Sequence, residues 1–226
     1  MANIIYLCFS LIYICFFIYA YRLIAKKDLQ YMFFLAILAA LFYDNLISGI
    51  GFLIGAGPVL KFLNFFRFAF HVFITPLLCY IVFKIAQKMQ VRIFQTSIAE
   101  LFVWALIIVF IIMGFLHDIA PMDLVPQAHW GVINYTHAEA SVPIAVILIN
   151  VFVIIGSILI WEKIGWPGLF ITSISMFIIA AAIPISKFGL LPSNAGEIIL
   201  SYGFLLSQKK LLSLTIKNNI ETGGGS

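Results

Sequence analysis

The chain has 226 residues, of which 64% are hydrophobic and 10% charged, and its formal net charge is +4. A soluble domain is about 25% charged, so these charges are too few to cover a water-facing surface, and lipid is the expected solvent. Seven spans of about 20 residues with short connections use nearly the whole length, which excludes an added soluble domain.

In chain order, apolar runs fall at 3–23, 31–55, 63–85, 93–116, 141–161, 166–186 and 195–214. They make residues 1–218 one all-α polytopic domain, a seven-transmembrane-helix bundle, followed by a tail at 219–226 whose closing Gly-Gly-Gly-Ser reads as an appended linker. The first run has no basic residue before it and Arg22, Lys26 and Lys27 after it. That is the reverse of a cleavable secretion signal and predicts a retained helix with its N-terminus outside.

Threading the other spans from that start tests the assignment. Arg22, Lys26, Lys27, Lys84, Lys88, Arg92, Lys163, Lys209, Lys210 and Lys217 fall inside, and only Lys61, Arg67 and Lys187 fall in the outer half. Ten against three is the asymmetry of the positive-inside rule, and it places the C-terminus inside. The charge is therefore read as topology and not as a nucleic-acid surface. Cys8, Cys15 and Cys79 all lie in apolar runs without metal-ligand spacing and read as small core residues.

The second run closes on Gly49, Gly51, Gly55, Gly57 and Pro58, small residues that let a neighbouring backbone approach. The longest connection, 117–140 on the outer side, holds His117, His129, His137, Trp130 and Tyr135 and is expected to be a functional loop, a cap or a re-entrant segment. The three histidines are read as solvated.

Ionisable residues inside a span cost several kcal/mol unless they face the bundle interior, water or a partner. In the second run Asp44 shares a face with Ser48, Gly51 and Gly55, beside Asn45. In the third, Asn64, Arg67, His71 and Thr75 recur at three- and four-residue spacings before Pro76. The fifth is expected to align Glu139, Pro143 and Asn150; the sixth ends in Pro184 and Lys187; the seventh carries Asn194, Glu197, Ser201 and Gln208 along one side. Topology puts Asp44, Arg67, His71, Glu139, Lys187 and Glu197 at similar depth, which predicts a shared outward-facing polar cavity. Glu100 is the exception, expected roughly 10 Å inside the inner end of the fourth helix, at about 1.5 Å per residue.

The candidate substrate-binding set is thus Asp44, Asn45, Arg67, His71, Glu139, Asn150, Lys187 and Glu197. Each has a plainer alternative: an Asp44–Arg67 ion pair that locks two helices, a hydrogen-bonded interior His71, a Glu197–Lys187 pair at the rim. No G-x-S-x-G, H-E-x-x-H or Walker loop is present. A retinal-type lysine is missing from the last run before Lys209, and only His71 lies clearly within a span, too few for the histidine-rich metal hydrolases of the ceramidase type.

Three functions remain. One is a small transporter or permease for a polar or anionic solute, with Arg67 as the anion-pairing group, Asp44, His71 or Glu197 carrying coupling protons, and Pro76, Pro143 and Pro184 as moving parts. Another is an intramembrane enzyme acting on a lipid or isoprenoid headgroup, and a third is a sensor or membrane-complex partner. The first needs only a cavity and hinges and is preferred. No cofactor or metal is expected, and the Ile-, Phe-, Lys- and Asn-rich composition points to a microbial cytoplasmic membrane.

Overall fold

The computed structural model describes residues 2–23, 28–138, 142–183 and 188–223, with side chains through 214. In order these form α1 (Ala2–Leu23), α2 (Leu29–Ile54), α3 (Pro58–Ile74), α4 (Leu77–Lys88), a 3-10 turn (Arg92–Phe94), α5 (Ser97–Gly114) running into a π-helical turn (Phe115–Ile119), β1 (Leu124–His129), β2 (Val132–His137), α6 (Ile144–Ile164), α7 (Gly168–Ala182) and α8 (Leu191–Gly223). Among the described residues five helical rods are long and apolar enough to cross a membrane: α1, α2, the α3–α4 rod, α5 with its π turn, and α6. The apolar α7 is shorter, at 15 residues.

Boundaries follow local chemistry. Asp28 caps α2 by accepting a hydrogen bond from the Gln30 amide, and Thr96 caps α5 by accepting one from the Ala99 amide. The α5 cap corrects the expected depth of Glu100: the helix starts at Ser97, so Glu100 lies in its first turn, where Lys84 Nζ meets its carboxylate at 2.9 Å. Pro76 lacks an amide hydrogen and interrupts the third rod at Thr75–Pro76. Pro143, expected as a kink in the fifth span, instead occupies the N-cap of α6. Pro184 lies outside the described residues.

The broken rod explains the packing. Leu78 to Phe83, Ile85 and Ala86 are all buried, so α4 is covered on every side and forms the centre of the bundle. Helices α2, α5, α6 and α8 surround it. Further out, α1 lies on α2 and α8, and α7 lies on α6 and α8. Close approaches depend on glycine: a Cβ on Gly203 of α8 would collide with the Thr172 hydroxyl of α7. The outer faces are apolar as well. Ile98, Leu101, Phe102, Ile108 and Ile112 of α5 are all exposed, a continuous patch of the kind that soluble monomers rarely show.

The segment expected as a loop is an antiparallel hairpin with Leu124 opposite His137 and His129 opposite Val132. Trp130 and Gly131 form its turn with φ of 53° and 83°, the left-handed pair that a two-residue type I′ connection needs. Leu124 and Tyr135 pack with Ile47 and Leu60 across the joint between α2 and α3. The Trp130 carbonyl accepts a hydrogen bond from the Ala2 amide at 3.2 Å. The hairpin lies close against α2 at Gly51, where any Cβ would run into the Ile133 carbonyl. His137 is not solvated as expected: its ring packs edge-on against Phe68 at 4.7 Å between centroids.

Candidate functional site

Three helices converge on one carboxylate. Arg67 of α3 donates from Nε to Asp44 Oδ1 of α2 at 2.7 Å, and Asn194 of α8 donates from Nδ2 to Asp44 Oδ2 at 2.6 Å. Arg67 Nη1 donates to Asn64 Oδ1 at 2.7 Å, and Asn194 Nδ2 also reaches Asn45 Oδ1 at 3.2 Å. Both charged side chains are 5% exposed. Removing two charges from water is costly, and that cost is offset only when the remaining lone pairs and hydrogens are met. Here both carboxylate oxygens have donors and two guanidinium nitrogens have acceptors, so the cluster ties α2, α3 and α8 together.

Asparagines complete it by a repeated device. Asn45 and Asn64 each donate from Nδ2 to their own helix, to Leu41 O and Leu60 O, both at 2.8 Å. That bond fixes the amide orientation, because a carbonyl oxygen facing a carbonyl would repel. The side-chain oxygens are thereby turned to Asn194 and Arg67. The spacing Asn64–Arg67 is one helical turn, and Asn194–Glu197–Ser201 continues along one face of α8.

A cavity of about 40 Å³, set in a wider open recess, lies beside this network. Its walls come from α2, α3, α4, α6, α7 and α8 at the Pro76 break. Eleven of its sixteen lining residues are apolar, including Phe34, Phe70, Phe204 and Met176; the polar ones are His71, Thr75, Asn150, Glu197 and Ser201. The expected polar cavity is therefore largely apolar with a few polar groups, the usual make-up of a small-molecule site. His71 sits between the two regions, with Nε2 3.9 Å from Asp44 Oδ1 and Nδ1 3.5 Å from Thr75 Oγ1.

The eight candidate residues thus separate. His71, Asn150 and Glu197 line the cavity; Asp44, Asn45 and Arg67 lie behind it in the network; Glu139 and Lys187 fall outside the described residues. Arg67, expected to pair with an anionic solute, has Asp44 as its counter-ion. Asn64 and Asn194, outside the candidate set, turn out to complete that pair, while Thr75 and Ser201 join the cavity wall. Among the described residues no group of three His, Cys, Asp or Glu side chains is placed to hold a metal ion.

The cavity differs from the network in its unmet groups. Asn150 makes the same back-bond as the other two asparagines, Nδ2 to Val146 O at 2.9 Å, yet its Oδ1 has no partner among the described residues. Glu197 Oε2 is likewise buried without a donor. A buried acceptor left unmet costs about 1–3 kcal/mol, more for a charged one.

At the far end of α2, Gln30 Nε2 donates to Gln208 Oε1 of α8 at 3.2 Å, and Lys88 pairs with Asp28. Burial raises the Asp28 carboxyl, but the hydrogen bond and charge of Lys88 outweigh it and hold the group below its ordinary value of 3.8.

No protein-family model, curated protein or solved structure matches this chain.

Proposed function

We propose that the chain is a multi-pass membrane protein of seven transmembrane helices, N-terminus outside and C-terminus inside, that works as a small-solute transporter or permease. The observation that carries this reading is the cavity at the Pro76 break, bounded by helices from both halves of the chain and holding unmet polar groups. Five apolar rods and the lipid-compatible face of α5 support the membrane setting, and the ten-to-three division of lysine and arginine supports the direction.

Transport needs a site and a part that moves. The α3–α4 rod offers the second, because it lacks a continuous hydrogen-bond ladder where His71 and Thr75 meet the cavity. A change in the bend would alter access to the cavity while the Asp44–Arg67 network holds α2, α3 and α8 together. His71, between network and cavity, is the natural carrier for a coupled proton.

Uptake into proteoliposomes tests this reading. Purified protein reconstituted in liposomes should take up a solute from a mixed panel of small amines, acids and alcohols, with saturation. Uptake no faster than in protein-free liposomes for every solute would overturn it. Rates that stay flat between about pH 5 and 8, the range in which an imidazole titrates, would remove proton coupling through His71.

A further inference from the structure

The unmet groups in the cavity also say what kind of molecule it suits. Asn150 Oδ1 and Glu197 Oε2 are both acceptors, and the bond from Asn150 Nδ2 to Val146 O assigns which end of that amide is the oxygen. Neither oxygen has a donor among the described residues. Arg67 of the neighbouring network has both Asp44 and Asn64 as acceptors and is not part of the cavity wall.

Charge counting agrees. Arg67 and Asp44 cancel, and among the described residues the one further acid on the cavity wall is Glu197 and the one basic side chain there is His71. An anion entering this space would meet the Glu197 carboxyl and, among the described groups and with His71 neutral, no available cation. A cation with N–H groups would meet two acceptors and, on the remaining walls, the faces of Phe34, Phe70 and Phe204, which suit both an alkyl chain and a positive charge.

We propose that the cavity binds a small organic ammonium ion with an apolar body, its N–H groups taken by Glu197 and Asn150. Neither Glu197 Oε2 nor Asn150 Oδ1 touches water as it stands; small rotations about their last side-chain bonds, soft torsions, turn both oxygens toward the ligand. This rests on the cavity being the solute site of the transporter reading, and it replaces the anionic solute by a cationic one.

The test is equilibrium binding to the purified full chain in detergent, with n-hexylammonium, hexanoate and hexanol as probes that share one apolar body. Saturable binding of hexylammonium is expected, about tenfold or more tighter than hexanoate or hexanol. Glu197→Gln should weaken the amine by about the same factor and leave hexanol unchanged. Hexanoate binding as well as the amine, no saturable amine binding, or a Glu197→Gln protein with unaltered amine affinity would each overturn the proposal. The wild-type probe comparison stands even if the variant fails to fold. Amine binding without uptake into liposomes would keep this site and remove the transporter; uptake without amine preference would do the reverse.

Discussion

Three buried asparagines make the same bond to their own helix and then differ. In Asn45 and Asn64 the side-chain oxygen is met, by Asn194 and Arg67; in Asn150 it is not. The same contrast separates two carboxylates on facing helices. Asp44 has a donor on each oxygen, whereas Glu197 has an oxygen with none. Polar residues in a membrane chain can serve structure or ligand, and residue type does not tell them apart. Between these two neighbouring regions the difference is whether each acceptor already has its donor, although Gln30 Oε1 at the far end of α2 is unmet as well. By that measure the α2–α3–α8 network is structure and the neighbouring cavity is the working part.

The largest expected effect lies in the network. Asp44→Asn leaves a buried guanidinium without its counter-ion and should cost about 3–5 kcal/mol, seen as a sharp loss of monodisperse protein and a lower unfolding midpoint in detergent. A well-folded Asp44→Asn protein with lost solute binding would break the division, because Asp44 would then belong to the site. Arg67→Ala should act in the same direction.

Gly51→Val comes next. It pushes the hairpin off α2, and overpacking of this kind costs about 1–3 kcal/mol. Because Gly51 borders the hairpin and not the cavity, solute affinity should hold in whatever fraction folds. A changed affinity with unchanged stability would show that the hairpin helps to form the site.

Much of this was legible in the sequence, for physical reasons that also explain the gaps. Each apolar run contains a helix, since spans of that length must satisfy their own backbone. The polar face Asn194–Glu197–Ser201–Gln208 is real, because helical spacing places those residues on one side whatever they meet. Pairing was not legible. Nothing in the sequence says that Arg67 is met by Asp44 and Asn64, and so an anion-binding role for it looked equally open. The hairpin was hidden by Pro126, which weakens a strand signature and is tolerated here because a two-stranded sheet has only edges. The Trp130-Gly131 pair ahead of the β-favouring run from Val132 is the local mark of the turn. Glu100 was misplaced because its apolar run starts before the helix does, and only the Thr96 cap sets the true beginning.

Asp28 gives the smallest expected effect and a control at the far end of α2. Its pairing with Lys88 is partly exposed, so Asp28→Asn should cost no more than about 1 kcal/mol. Its carboxyl is held below the ordinary 3.8, so the pairing stabilises the fold at neutral pH, and that contribution is lost as pH falls below 3.8 through the folded-state value. The acid limb of the unfolding profile should therefore be shallower in Asp28→Asn than in the wild type. Identical limbs would show that the pair is silent.

The division between network and cavity is tested most directly by the unfolding midpoint of ligand-free Glu197→Gln beside that of Asp44→Asn. An unmet carboxylate kept for a ligand is a liability in the empty protein, so Glu197→Gln should unfold at or above the wild-type midpoint while Asp44→Asn falls well below it. A Glu197→Gln protein destabilised as much as Asp44→Asn would contradict the account, because Glu197 would then be part of what holds the bundle together.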